Sequence, residues 1–196
     1  MLLKAYLIGR FDSVTNRENK ISDIDLNHYA IIRNNVSKFL RICGGKYDKE
    51  GLLLDIAPQN HEGSKPYFTK SKIYTLDINP EAKADFTVDI CATNEKLIPD
   101  NHFDFVVCTE VLEHTINPFS ALNEIFRILK QGGLVFISVP FNFRIHGPLP
   151  DCWRFTVHGL KVLLKDFEII SLNEIETDDR WLMPIHYTVV AKKLKR

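Results

Sequence analysis

Three acidic residues stand near the ends of apolar runs in the first half of the chain, where they could bind a nucleoside: Asp55, Asp77 and Asp89. Asp77 follows Asp55 by 22 positions. In nucleotide-binding α/β folds, an acidic residue about 20 positions beyond the first turn accepts hydrogen bonds from the ribose hydroxyls. Asp77 is therefore the ribose candidate, unless it only caps a turn with Asn79. Asp89 could accept from an adenine amino group, or belong to an ordinary loop.

The apolar runs that carry these acids predict short buried strands that alternate with helices. Residues 28–43 have apolar side chains at steps of three and four, and Gly44 follows as a stop signal for this helix. Residues 118–131 predict a second helix, with Asn117 as its N-cap and Gly132 after its end. This alternation implies parallel strands, and ligands of such sheets bind beyond the carboxyl ends of the strands. The predicted strands cover residues 52–56, 73–77, 86–90, 103–108 and 134–140.

The last third of the chain predicts a loop, a helix and a hairpin. Thr156 is the expected N-cap of a short helix. Residues 167–172 and 186–191 read as two strands joined by a loop, so we expect them to pair in antiparallel fashion. The basic residues 192–196 are typical of a solvated tail. Residues 1–27 carry no clear period, and we assign them no role.

Composition favours a globular protein of the cytoplasm. The chain of 196 residues fits a single domain, divided into an N-terminal extension and helix (1–50), a core (51–140) and a C-terminal part (141–196). With 25 basic and 25 acidic residues it has no net charge that would attract nucleic acid or an anionic membrane. The four cysteines form no C-x-x-C pair, which favours reduced thiols. No apolar run approaches the roughly 18 residues of a membrane helix, so we expect neither export nor a membrane anchor.

Residues 52–164 together resemble the class I S-adenosylmethionine (SAM) dependent methyltransferases. Asp55 stands in the first motif, Asp77 in the second and Asp89 in the third, and residues 103–140 carry the most specific part of the resemblance. The resemblance implies a Rossmann-like α/β fold with a mostly parallel seven-stranded sheet, an antiparallel C-terminal strand and helices on both faces. Within the class, residues 146–156 resemble a branch associated with glycan and polysaccharide biosynthesis.

The resemblance also implies a cofactor site for SAM, with S-adenosylhomocysteine (SAH) as the product. The first turn departs from the family pattern, because no glycine precedes Gly63 and Pro58 removes a backbone donor. SAM has no phosphate, so a glycine-poor turn harms its binding less than that of a dinucleotide. The link from Asp77 to Asp89 is so short that a turn should replace the usual helix. The implied cofactor-binding residues are Asp55, Ile56, Ala57, Asp77, Ile78, Asp89, Ile90, Thr109, Glu110 and Val111.

Residues 110–114, Glu-Val-Leu-Glu-His, admit three interpretations. In the first, His114 takes a proton from the acceptor hydroxyl, and His146 is a second candidate base. In the second, Glu110, Glu113 and His114 bind a divalent ion, and His146 completes the shell. That pattern is similar to one in metal-dependent O-methyltransferases that act on small RNAs or quinone precursors. In the third, Glu113 and His114 only cap a helix turn. We expect no metal among the site residues and keep a divalent ion as an alternative.

The loop of residues 141–153 should lie over the acceptor side of the cleft. Trp153 could stack on a sugar face and Arg154 could pair with an anionic group of the acceptor. Alternatively, Trp153 and Phe155 are core residues beside a helix start. The resulting hypothesis is SAM-dependent methyl transfer to a small-molecule or glycan hydroxyl, with nucleic acid an improbable partner. The alternatives are a SAM-binding regulatory protein without catalysis, a metal-assisted enzyme acting on RNA ribose or a quinone precursor, and a protein for another nucleotide.

Overall fold

The computed structural model describes residues 22–58 and 62–194. Three α-helices are present in these residues: α1 (Asp23–Tyr47), α2 (Pro118–Ile128) and α3 (Val157–Leu163). Short 3₁₀ turns cover Pro80–Ala82 and Leu112–His114. The strands are β1 (Leu52–Ile56), β2 (Lys72–Asp77), β3 (Phe86–Thr87), β4 (Phe103–Thr109), β5 (Leu129–Pro140), β6 (Phe167–Ile175) and β7 (His186–Lys193).

The seven strands form one sheet in the order β3-β2-β1-β4-β5-β7-β6. Strands β1 to β5 are parallel where they pair, and β7 is antiparallel to both β5 and β6. The predicted Rossmann-like sheet and its C-terminal antiparallel hairpin are therefore confirmed. Because β7 runs against its neighbour β5, its first residue, His186, lies opposite Pro140 at the carboxyl end of β5. The end of one strand and the start of another thus meet at the same edge.

Helices cover both faces of the sheet, because side chains of successive strand residues point to opposite faces. On one face, Phe136 of β5 joins a cluster with Phe39 and Leu40 of α1. On the other, Ile137 belongs to a cluster that includes Ile125 of α2. The two apolar clusters hold the strand ends in fixed positions, on which the site depends.

Helix α1 is longer than its apolar pattern predicted. It begins at Asp23, where Ser22 accepts a hydrogen bond from the N–H of Asp25, and it continues through Gly44 to Tyr47. Gly44 is therefore not a stop. A β carbon at Gly44 would meet the carbonyl oxygen of Tyr67 at 2.1 Å, so the glycine allows the helix to lie against this backbone. A close packing contact, rather than a helix end, accounts for this glycine.

The remaining elements agree with the sequence in type and differ mainly at their bounds. Asn117 caps α2 through the N–H of Ser120, and Thr156 caps α3 through that of Gly159, both as predicted. Strand β5 begins directly after α2, five residues before the predicted start at 134, and it includes Gly132. The link between β2 and β3 is reduced to a 3₁₀ turn, as expected.

The basic C-terminal residues are not simply a solvated tail. Lys193 is only 3% exposed and closes β7. Its Nζ donates to the carbonyl of Leu129 at 2.7 Å and to Asn101 Oδ1 at 2.9 Å. The prediction was wrong here because charge alone does not show that a lysine lies at a strand position within reach of carbonyl oxygens from a distant segment. Within residues 22–58 and 62–194, no helix is long and apolar enough to span a membrane.

Candidate active site

The first loop of the site is organised by Asp55, which lies near the end of β1. Asp55 is 2% exposed, and its Oδ2 accepts a hydrogen bond from the N–H of Ser64 at 2.7 Å. Burial raises the pKa of Asp55 to about 6, although the Ser64 bond acts in the opposite direction. Its neighbour Ile56 belongs to the core. Asp55 thus closes the loop back on β1.

Ala57 takes over the backbone role that a glycine usually has after the first strand. Its φ is 50°, in the left-handed region that favours glycine, and its N–H donates to the carbonyl of Leu76 at 2.7 Å. The turn is therefore formed despite the missing glycine, at a backbone cost of about 1 kcal/mol. Gly63, with φ of 57°, is also left-handed.

Asp77 ends β2 at the same edge of the sheet. The residue is 6% exposed, and its Oδ1 accepts from the N–H of Asn79 at 2.8 Å. Oδ1 therefore caps the turn, as one interpretation predicted. The other carboxylate oxygen, Oδ2, is left for a ligand. Ile78, next to it, exposes 66% of its surface and provides an apolar face beside the carboxylate. This pairing suits a ribose with an attached planar base.

Asp89 is exposed and shapes a turn. Its Oδ1 accepts from the N–H of Cys91 at 2.8 Å, and its carbonyl accepts from Asn94 Nδ2 at 3.0 Å. Ile90, by contrast, is 6% exposed and packs in the core. The candidate cofactor residues therefore include two buried carboxylates, Asp55 and Asp77, and an exposed one, Asp89.

Glu110 is the most constrained residue of the cleft. It follows β4, adopts φ of 55°, and its Oε1 accepts from Ser138 Oγ and from His186 Nε2, each at 2.7 Å. Although burial opposes ionisation, His186 and Ser138 together lower the pKa of Glu110. Thr109 pairs with Ser138 in the sheet, and Val111 is 8% exposed. Glu110 is thus a fixed carboxylate in the turn after β4, which we call the cofactor turn because the sequence resemblance implies that it binds SAM.

The two predicted bases are brought together. The rings of His114 and His146 lie with centroids 4.9 Å apart. His114 Nδ1 lies 3.0 Å from the carbonyl oxygen of Pro150, and His146 Nδ1 lies 3.1 Å from Asp151 Oδ2. Because those partners only accept, both imidazoles carry their proton on Nδ1 when neutral, which leaves Nε2 with a lone pair.

Both Nε2 atoms face Glu113. The distances to Glu113 Oε1 are 3.7 Å from His114 and 4.0 Å from His146. Glu113 is fully buried, and in the described part of the chain neither of its carboxylate oxygens has a hydrogen-bond partner. Burial, followed by the charge of Glu110, raises the pKa of Glu113 well above its ordinary range. Burial likewise lowers the pKa of His114. Both shifts favour the neutral forms of Glu113 and His114.

The acceptor loop is held together by Arg154. Its guanidinium binds both carboxylate oxygens of Asp151 and the carbonyls of Phe143, Arg144 and Trp153. Asp151 in turn orients His146. The suggested pairing of Arg154 with an anionic acceptor is therefore not supported, because its donors are already used within the loop.

Phe155 is a core residue, as one interpretation predicted, whereas Trp153 is partly exposed, as stacking on an acceptor would require. Phe155 is 7% exposed and lies in the core, whereas Trp153 is 42% exposed and stacks on it at an interplanar angle of 18°. Trp153 Nε1 donates to the carbonyl of Thr115. The sequence analysis missed Asp151, Ser138 and His186, whose roles depend on contacts between distant parts of the chain.

Comparisons with known proteins agree with this fold. The Methyltransferase domain family matches residues 54–137. The chain is 26% identical over 156 residues to a ubiquinone biosynthesis O-methyltransferase of Photobacterium profundum, a match that covers 74% of this chain and 65% of that protein. The chain spans less than two thirds of the length of the curated relatives it matches.

Solved structures share the fold. A SAM-dependent methyltransferase of Methanosarcina mazei superposes with a TM-score of 0.62 at 22% identity, over 79% of this chain and 98% of that one. The N-methyltransferase NodS of Bradyrhizobium japonicum, solved with SAH, gives 0.61 at 11% identity, over 83% and 87% of the two chains. Residues 54–137 therefore match the Methyltransferase domain family, and the chain shares its fold with SAM-dependent methyltransferases.

Proposed function

We propose that this protein transfers a methyl group from SAM to a hydroxyl group of a small molecule or glycan. The observation that carries the proposal is the convergence of His114 and His146, each with Nδ1 beside a protein acceptor and Nε2 within 4.0 Å of Glu113. The O-methyltransferase relative supports an oxygen acceptor. The glycan class is supported by the resemblance of residues 146–156 alone.

The residues at the strand ends fit the cofactor. Asp77 has one carboxylate oxygen left after its turn bond, and the apolar Ile78 is exposed beside it. Asp89 stands at the next strand end as a further acceptor. SAM supplies an activated methyl group on a sulfonium, which is already a good leaving group. The protein therefore contributes mainly by positioning the two reactants.

His114 would act as the base. Its Nδ1–H is donated to Pro150, so the lone pair on Nε2 is available for the acceptor's proton. His146 would hold the acceptor oxygen or share that proton, and Asp151 fixes the orientation of its ring. The His114 and His146 side chains keep 14% and 23% of their surface exposed, and Trp153, which ends the acceptor loop, is 42% exposed.

The experiment has two parts, both on the full chain. Calorimetric titration with SAH measures cofactor binding, and transfer of a labelled methyl group from SAM to a panel of phenols and sugars measures turnover. We expect His114→Gln and His146→Gln to reduce kcat by about 10²-fold, near the lower limit for loss of a base. Because these residues serve the acceptor, the affinity for SAH should remain within about twofold of the wild type.

The control variant is His158→Gln, since His158 is exposed on α3. It should leave both measurements unchanged. SAH binding without turnover on any acceptor would instead favour the regulatory protein, and absence of SAH binding would favour another nucleotide. An unchanged kcat in His114→Gln would contradict the assignment of the base.

A second candidate function, cation-assisted methyl transfer, is favoured by the unpartnered carboxylate of Glu113. The ligand atoms of Glu113, His114 and His146 all lie within 4.8 Å of one another. Histidine ligands of metals commonly donate their other ring N–H to a carbonyl or carboxylate, as both histidines do here. A divalent ion held there would act as a Lewis acid and lower the pKa of the acceptor hydroxyl.

The ligand set differs from the one expected from residues 110–114. Glu110 is bound to Ser138 and His186 through Oε1, and it does not belong to the converging group. Calorimetric titration of chelator-treated protein with Mn²⁺ and Zn²⁺ tests this candidate. Binding that is lost in Glu113→Gln but kept in His158→Gln would support it. Methyl transfer that survives EDTA would remove it.

A further inference from the structure

His186 connects helix α1 to the cofactor turn through side chains alone. It is fully buried at the first position of β7, opposite Pro140 of β5. On one side, its Nδ1 lies 2.8 Å from Asn35 Nδ2 of α1. On the other, its Nε2 lies 2.7 Å from Glu110 Oε1. No element of the cleft described so far requires a histidine at this position.

The partners of His186 determine where its proton lies. An amide nitrogen can only donate, so Nδ1 must accept from Asn35. The single proton of the neutral ring is then on Nε2 and is donated to Glu110. This bond and the bond from Ser138 both end on Oε1, and the Glu110 side chain keeps 17% of its surface exposed. Oε2 is therefore the oxygen left to face a ligand.

We propose that His186 is a positioning residue of the cofactor site, which holds Glu110 so that Oε2 interacts with the amino-acid portion of SAM. The inference rests on the proposed function. SAM and SAH carry an α-ammonium group, and a fixed, partly desolvated carboxylate attracts such a cation strongly. Asn35 serves to keep the imidazole in the donating tautomer. The Glu110 backbone is left-handed, and its N–H donates to the carbonyl of Ser138 at 3.0 Å, so both the backbone and the side chain of Glu110 are held by β5.

The test compares two ligands of the same pocket by calorimetry: SAH, and 5′-methylthioadenosine, which lacks the amino-acid portion. We expect His186→Leu to weaken SAH binding by about tenfold or more, while 5′-methylthioadenosine binding stays within about twofold. Glu110→Gln should have the same selective effect. His186→Gln retains a donor near the position of Nε2 and should recover SAH binding to within about threefold.

Asn35→Ala provides a variant that leaves the buried histidine in place. Asn35 is half-buried on α1 and alanine favours helix, so this variant should fold and should weaken SAH binding by about threefold. Equal weakening of the two ligands in His186→Leu and Glu110→Gln, or no weakening of SAH, would overturn the inference. Wild-type protein that binds 5′-methylthioadenosine but not SAH would overturn it too. If the wild type binds neither ligand, the proposed function itself fails.

Discussion

Gly63 lies so close to Asp55 that a β carbon added at Gly63 would stand 2.3 Å from Asp55 Oδ2. The same residue has a φ of 57°, which L-amino acids with a side chain adopt at a cost of about 1–2 kcal/mol. We expect Gly63→Ala to lower the free energy of unfolding by about 2–4 kcal/mol, because crowding adds to the backbone cost. Urea unfolding at neutral pH measures the change.

Gly132→Ala is the matched control. Gly132 has a φ of 76°, but among the described residues nothing lies within 4 Å of an added β carbon. Gly132→Ala should therefore lower the free energy of unfolding only by the cost of the left-handed backbone, about 1 kcal/mol. If both variants lose the same free energy of unfolding, the contact of the added β carbon with Asp55 does not affect stability.

Asp55 should make stability depend on pH in the acidic range. Burial raises the pKa of this carboxyl from 3.8 to about 6, so the folded state binds its proton more tightly than the unfolded state. The resulting stabilisation is complete below about pH 3.8 and is lost as the pH rises through about 6. This shift in pKa corresponds to a change of about 3 kcal/mol at most in the free energy of unfolding.

Asp55→Asn should remove this dependence, since an amide does not titrate and can still accept from the N–H of Ser64. Urea unfolding of both proteins between pH 4 and pH 7.5 provides the comparison, and the other titrating groups cancel in the difference. We expect the variant to gain about 1–3 kcal/mol relative to the wild type as the pH rises over this range. If the free energies of unfolding of the two proteins change equally with pH, the raised pKa of Asp55 is contradicted.

Alanine substitutions at two neighbouring glycines of α1 should change the stability of the protein in opposite directions. Gly44→Ala places a β carbon 2.1 Å from the Tyr67 carbonyl oxygen, so we expect a loss of about 1–3 kcal/mol. Gly45 is exposed, and among the described residues nothing lies within 4 Å of an added β carbon. Gly45→Ala should therefore gain about 0.5–1 kcal/mol from helix propensity. Thermal unfolding of the two variants separates these effects, and a loss at both positions would show that another contact matters.

Substitution of Asp77 should weaken cofactor binding more than substitution of Asp89. Asp77→Asn keeps the turn bond to Asn79 but offers the ribose one acceptor fewer, so the affinity for SAH should fall about tenfold or more. Asp89 is exposed and already bonded within its turn, and Asp89→Asn should weaken binding only a few-fold. Calorimetric titration with SAH ranks the two. A larger loss at Asp89 would reverse the assignment of the ribose and adenine partners.

The sequence by itself determined which segments are strands and helices, and which residues stand at the strand ends. Local patterns suffice for this, because apolar periodicity and caps such as Asn117 and Thr156 act over a few residues. The positions of Asp55 and Asp77 near the carboxyl ends of their strands followed in the same way. His114 could be named as a candidate base because it shares one segment with Glu110 and Glu113.

Only the tertiary structure decided what those residues contact. His186 reaches Glu110 across 76 positions because β7 inserts between β5 and β6 in antiparallel direction, which brings its first residue to the carboxyl edge. His146 meets His114 because Arg154 and Asp151 fold the acceptor loop back over the cleft. Packing against Tyr67, and not the helix stop that the sequence predicted, accounts for Gly44. Such contacts depend on strand order and loop path, which short-range patterns do not encode.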